Sequence, residues 1–285
     1  MEIQLLTLPC DSGVPDVRMG AGPARLLQGG LERHLASLGH SVSHQELRAP
    51  VSGVANEIAT AFALNGSLAE SVRRATAGDR FPIILAGSCY TAVGTVAGLT
   101  GEPSDPIGVI WMDTHADLNT PDTTASGFLD GMAVSILTGA CFQTLAASIE
   151  GHVPLPYDQI LMLGTRDVDP PEAACIANEH VTVVSPHEMA ARLDDSLEAL
   201  RSRVSRVYVH VDLDVLDPAE APANTFVAPD GLSTRQLIET VRAISDTFDI
   251  EALAFTAYDP SVDPDGRVVD AVFSFLDTIV GGSAA

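Results

Sequence analysis

The chain is short of positive charge, of long apolar runs and of closely spaced cysteines, and each shortage excludes something. Lys and Arg total 15 against 38 Asp and Glu, leaving a formal net charge of −23. Nucleic acid or an anionic membrane surface would repel such a chain unless a dense basic patch compensated, and the sequence has no such patch. No apolar stretch is long enough to span a bilayer. Met1, Glu2 and Ile3 lead into a strand-like stretch rather than a basic and then apolar signal segment. The four cysteines, Cys10, Cys89, Cys141 and Cys175, are scattered and form no CxxC pair, which argues against disulfides and for a reducing, cytoplasmic setting. No Pro/Gly/Ser-rich linker, composition shift or internal repeat divides the 285 residues, so residues 1–285 are expected to form one α/β domain.

What is present is an alternation of short apolar runs with helically spaced segments. Ile3–Leu8, Phe81–Ala86, Val109–Met112, Gln159–Gly164, Val181–Val184, Val207–Val211 and Ala252–Phe255 read as buried strands. Helical spacing runs from Pro23 to Leu38, Val54 to Ala77, Thr91 to Leu99, Pro186 to Ser202 and Ser233 to Phe248, and Gly281–Ala285 reads as a frayed end. Strands alternating with helices imply a mostly parallel sheet covered on both faces, with functional residues gathered at the carboxyl ends of its strands.

Unusual polar clusters sit at those ends. After Val109–Met112 come Asp113, His115 and Asp117 at alternating positions, a spacing that lets three metal-competent side chains share one direction. After Val207–Val211 come Asp212 and Asp214, again at a spacing of two. Four carboxylates with one imidazole make an oxygen-rich donor set suited to Mn²⁺, and their mutual repulsion favours two divalent ions over one. Asp217, directly before Pro218, is expected to shape a turn instead.

At this point the chain resembles the ureohydrolase superfamily of arginases and agmatinases, over a span running from Gly20–Pro23 to Asp259–Pro260. Asp113, His115, Asp117 and Asn119 resemble its DxHxDxN segment, and Asp212, Asp214, Asp217 and Pro218 its DxDxxDP segment. The resemblance implies a three-layer αβα sandwich with a mostly parallel, roughly eight-stranded sheet. It also implies two Mn²⁺ ions and a bridging hydroxide that attacks a guanidino carbon to release urea. Asp113 and Asp212 would bridge the metals, Asp117 would hold one ion, and His115 and Asp214 the other. Asn119, Thr124 and Ser126 match positions that hold the substrate's α-carboxylate, and Asp169 and Glu172 match those that address its α-amino group. The alternative for the last two is helix capping ahead of Pro170 and Pro171. A homotrimer or homohexamer acting on a small guanidino amino acid is the implied assembly.

Three departures qualify the resemblance. Cys89 stands where the family has a metal-ligating histidine, either as a softer thiolate ligand or as a packed thiol. Asp130 stands at the proton-shuttling histidine, so Asp117 and Asp130 are the expected catalytic carboxylates. Ala257 replaces the glutamate that pairs with the substrate guanidinium. The expected activity is therefore hydrolysis of arginine or of a modified, less basic guanidino or amidino acid. The competing expectation is a catalytically impaired paralogue that serves as a binding or structural subunit.

Overall fold

The computed structural model describes residues 1–48, 56–101 and 105–281. Ten strands appear in chain order: β1 (Glu2–Leu8), β2 (Cys10–Asp11), β3 (Val14–Pro15), β4 (Ser41–Glu46), β5 (Arg80–Ala86), β6 (Ile107–Met112), β7 (Ile160–Leu163), β8 (Thr182–Val184), β9 (Arg206–Asp212) and β10 (Asp249–Thr256). Eight of them form a single sheet in the order β4-β1-β5-β10-β9-β6-β7-β8, and every pairing in it is parallel. The remaining pair, β2 and β3, is a small antiparallel ribbon.

Helices cover both faces because the central strands are apolar on both. On β6, Val109 and Trp111 join one core while Ile110 and Met112 join the other; on β10, Ala252 and Ala254 oppose Leu253 and Phe255. The first core lies under the helices Glu57–Ala77, Ala92–Leu99 and Ala133–Leu137, and the second under Met189–Arg201, Thr234–Thr247 and Arg267–Ile279. At roughly 1.5–3 kcal/mol per large apolar side chain buried, these two layers supply most of the force that closes the fold.

The strand order positions the site. β5 and β6 are consecutive strands of the main sheet in sequence, yet β10 and β9 are inserted between them. The loops that leave β5 and β6 therefore frame a crevice whose floor is made by the ends of β9 and β10, the arrangement at which open α/β sheets bind ligands.

Several elements depart from the sequence expectation. The helix expected from Pro23 to Leu38 is two helices, Gly22–Gln28 and Leu31–Ser37, parted at Gly29 and Gly30; Gly30 has φ 101°, a conformation that costs glycine nothing. Strand β4 was not expected, because its residues are polar and it lies at the sheet edge. The helix Arg267–Ile279 was also not foreseen. The helix expected from Val54 begins at Glu57, capped by the Asn56 side chain on the Ala59 amide, while residues 54 and 55, and residues 282–285 of the end expected to fray, lie outside the described residues.

Candidate active site

Each ligand-bearing segment begins where a strand runs out. β6 ends at Met112, and Asp113 follows fully buried, its Oδ2 accepting the Trp111 indole N–H at 3.0 Å and its Oδ1 the His115 amide at 2.7 Å. The His115 ring then lies with Nδ1 3.4 Å from Asp113 Oδ1 and 3.5 Å from Asp214 Oδ2. Asp117 adopts φ 51°, and this left-handed turn points its carbonyl at the amides of Val134 and Ser135, which open the next helix. Asp212 ends β9, with Oδ1 accepting the Asp214 amide at 2.9 Å. From β5, Cys89 reaches the same spot: its Sγ lies 2.9 Å from Asp212 Oδ2 and 3.2 Å from Thr256 Oγ1. The thiol is therefore beside the carboxylates rather than packed among apolar side chains alone.

The electrostatics of this cluster are those of a cation site. Burial pushes the Asp113 carboxyl up to about 6, and burial together with neighbouring carboxylates pushes Asp117 and Asp212 well above the usual range. Burial pulls His115 down, but Asp113 and Asp214 more than reverse this and raise it to about 10. Burial first, then Asp212 and the other acids, holds the Cys89 thiol protonated. Asp117 Oδ2 is buried with no hydrogen-bond partner. An acceptor-only oxygen left alone inside a protein is costly unless a cation meets it, so the residues fit a divalent metal centre. Among the described residues, two donor groups are close enough to share an ion each: Asp113, His115 and Asp214, and Cys89, Asp113 and His210.

These shifts give a signed prediction. Asp113 rises from 3.8 to about 6 and His115 from 6.5 to about 10, so both bind protons more tightly folded than unfolded. The stability they contribute is complete below their unfolded values and is lost as pH rises through about 6 and then about 10. Metal-stripped protein should thus melt several degrees lower at pH 8 than at pH 5, and added Mn²⁺ should restore the loss. Melting curves that do not change with pH after chelation would contradict this account.

Around the cluster lies a cavity of about 450 Å³. It is lined by every expected site residue except Asp113, which is sealed beneath it. Thr124 and Ser126 accept the Gly127 and Phe128 amides at 3.0 and 3.1 Å, and their two hydroxyl oxygens lie 3.5 Å apart at the cavity wall. Asn119 donates to Asp169 Oδ2 at 3.0 Å and accepts from Thr123. Glu172 receives the amides of Asp169 and Leu118, both at 2.9 Å, so this buried acid caps its helix and also lines the cavity. Asp130 is buried and accepts the Tyr90 amide at 3.1 Å; burial holds its carboxyl well above the usual range. Ala257, directly after β10, lines the cavity with φ 59°, whereas Tyr258 turns into the opposite core and gives its hydroxyl to Asp263.

Several lining residues went unread in the sequence. Asn224 donates to Asp214 Oδ2 at 3.2 Å and to the Ala257 carbonyl at 2.9 Å. Phe128 and Phe226 stack at 5.5 Å, and Arg18 pairs with buried Asp11 at 2.9 Å. Asn224 and Phe226 sit in a loop without periodicity, so no pattern could have drawn attention to them.

Comparisons with known proteins find relatives along nearly the whole chain. A sequence model of the arginase family matches residues 1–281. The arginase of Brucella melitensis is 28% identical, over 99% of this chain and 97% of its own length, and that of Bacillus subtilis is 26% identical over 98% and 97%. The structure of Bacillus caldovelox arginase superposes with a TM-score of 0.90 at 22% identity, covering 100% of this chain and 99% of its own, which establishes the shared fold. With the carboxylate cluster, the all-parallel sheet and a match along nearly its whole length, the chain belongs to the arginase family.

Proposed function

We propose that the protein hydrolyses a guanidino or amidino C–N bond of an amino acid, releasing urea or a substituted urea, and that it prefers a head group less basic than that of arginine. Family membership supports a metal-dependent hydrolase of guanidino compounds. The preference rests on one observation: Ala257 and Asn224, both neutral, line the cavity where the family places a guanidinium-pairing glutamate. When bound, divalent cations would supply a nucleophile from water at neutral pH and neutralise the acids that hold them. Asp113, Asp117, Asp212, Asp214, His115 and Cys89 would hold them, with Mn²⁺ favoured by the oxygen-rich part of the set.

The remaining steps belong to the chain's own side chains. Thr124, Ser126 and Asn119 present neutral donors suited to an α-carboxylate, and Asp169 an acceptor suited to an α-ammonium group. Glu172 fixes the loop that carries Asp169. Asp130, whose carboxyl is pushed well above the usual carboxylate range by burial, carries a proton for the departing nitrogen. Among the described residues no helix is long and apolar enough to cross a membrane. A cytoplasmic homo-oligomer, a trimer or hexamer, is the assembly we infer, and a mass measurement in solution would test it.

The decisive experiment measures urea and substituted-urea release by metal-loaded protein from arginine and from hydroxylated, acylated and amidino analogues. We expect kcat/KM to be highest for a less basic analogue. No turnover of any of them, with metal fully bound, would instead support a binding or structural subunit.

A further inference from the structure

His210 is a second imidazole beneath the site, and no pattern in the carboxylate motifs accounts for it. It lies two residues before Asp212 on β9, hence on the same face of the strand, and it is fully buried. Its ring stacks on Trp111 at 3.7 Å with an interplanar angle of 5°, and Nδ1 lies 2.8 Å from the Tyr208 hydroxyl. On the neighbouring strand β10, Ala254 is its register partner, so a small side chain leaves room for the ring. The remaining nitrogen, Nε2, meets Thr256 Oγ1 at 3.2 Å, and the same hydroxyl lies 3.2 Å from Cys89 Sγ. Ring nitrogen, thiol sulfur and an Asp113 oxygen all fall within 4.8 Å of one another.

We propose that His210 is a metal ligand, and that with Cys89 and Asp113 it forms a sulfur-nitrogen-oxygen position for a softer divalent ion such as Zn²⁺, Fe²⁺ or Co²⁺. This rests on reading the carboxylate cluster as a metal centre. Asp113 is common to both donor groups, so the pair of positions becomes chemically unequal: a hard one with His115 and Asp214, and a soft one with Cys89 and His210. Two features suit the imidazole to this role. Stacking on Trp111 fixes the ring plane. The Tyr208 oxygen stands at Nδ1, where a metal-binding histidine places the acceptor for its other N–H. The Thr256 hydroxyl lies 3.2 Å from both sulfur and nitrogen and would have to rotate aside for an ion to sit between them.

The test uses the full chain, stripped and reloaded, and needs no substrate, so it stands or falls apart from the assignment of the reaction. Titration with Co²⁺ alone should show a thiolate-to-cobalt charge-transfer band at the first equivalent. His210→Ser should shift that band and weaken first-equivalent binding at least about 10-fold, by the scale on which metal-site partners act. Unchanged binding and spectrum in a folded His210→Ser protein would overturn the proposal. Should that variant fail to fold, pulsed EPR on wild-type protein holding one equivalent of Co²⁺ still decides. The ion that carries the thiolate band is expected to show a coupled imidazole nitrogen, from His210, and a thiolate-bound ion with no coupled imidazole would overturn the assignment.

Discussion

Asp113→Asn protein is expected to hold less than one metal ion per chain and to lose at least roughly 10³-fold in kcat/KM, about 4 kcal/mol of barrier. Asp113 is the one side chain common to both donor groups, so neutralising it weakens both positions at once. Asparagine is chosen over alanine because its amide oxygen can still accept from either the Trp111 indole or the His115 amide, which limits the structural damage. Asp217→Asn is the matching control. Its two oxygens accept the Ala219 and Gly231 amides at 2.8 and 3.1 Å, so it holds a turn and should cost stability while leaving metal content and turnover intact. Metal analysis and thermal melts on the two variants separate the roles. Asp113→Asn with two ions still bound would remove it from the metal centre.

The two acidic segments were legible because chemistry and period coincide there: polar ligands spaced by two, directly after apolar runs that only a buried strand explains. His210 shares that spacing with Asp212, yet a single histidine in an apolar strand resembles an ordinary core residue, and only the packing of Trp111, Thr256 and Cys89 around it distinguishes it. Strand β4 was illegible for the opposite reason. With sequence Ser-Val-Ser-His-Gln-Glu it pairs only with β1 and leaves most of its side chains in solvent, so burial never filtered its composition. The break at Gly29 and Gly30 was visible as a glycine pair, but apolar spacing continues through it, since both short helices pack on the same core. Val268, Val272, Phe275 and Leu276 carry the helical period of the last helix openly. The two readings of Glu172, substrate contact and helix cap, could not be separated by sequence because one carboxylate faces both the cavity and the backbone amides.

Ala257→Glu is expected to move the substrate preference towards arginine. A glutamate there would face a guanidinium, and a hydrogen bond to a charged group is worth about 1.5–3 kcal/mol, or roughly 10- to 150-fold in kcat/KM. The backbone accepts the change: position 257 already holds a non-glycine residue at φ 59°, and glutamate, unbranched at Cβ, asks no more of that conformation than alanine does. Alanine there is 3% exposed and lines the cavity, so the longer side chain extends into open volume rather than into packed core. The added negative charge enters a region already crowded with acids, so metal content must be measured alongside kinetics. The informative comparison is a double ratio, arginine against a less basic analogue, in wild type and variant. It should rise by at least about 10-fold, with the gain for arginine matched by a loss for the analogue, whose neutral head group leaves the new carboxylate buried and unpaired. If wild-type protein already turned over arginine as fast as any analogue and the glutamate changed nothing, the neutral pair Ala257 and Asn224 would not be what selects the head group.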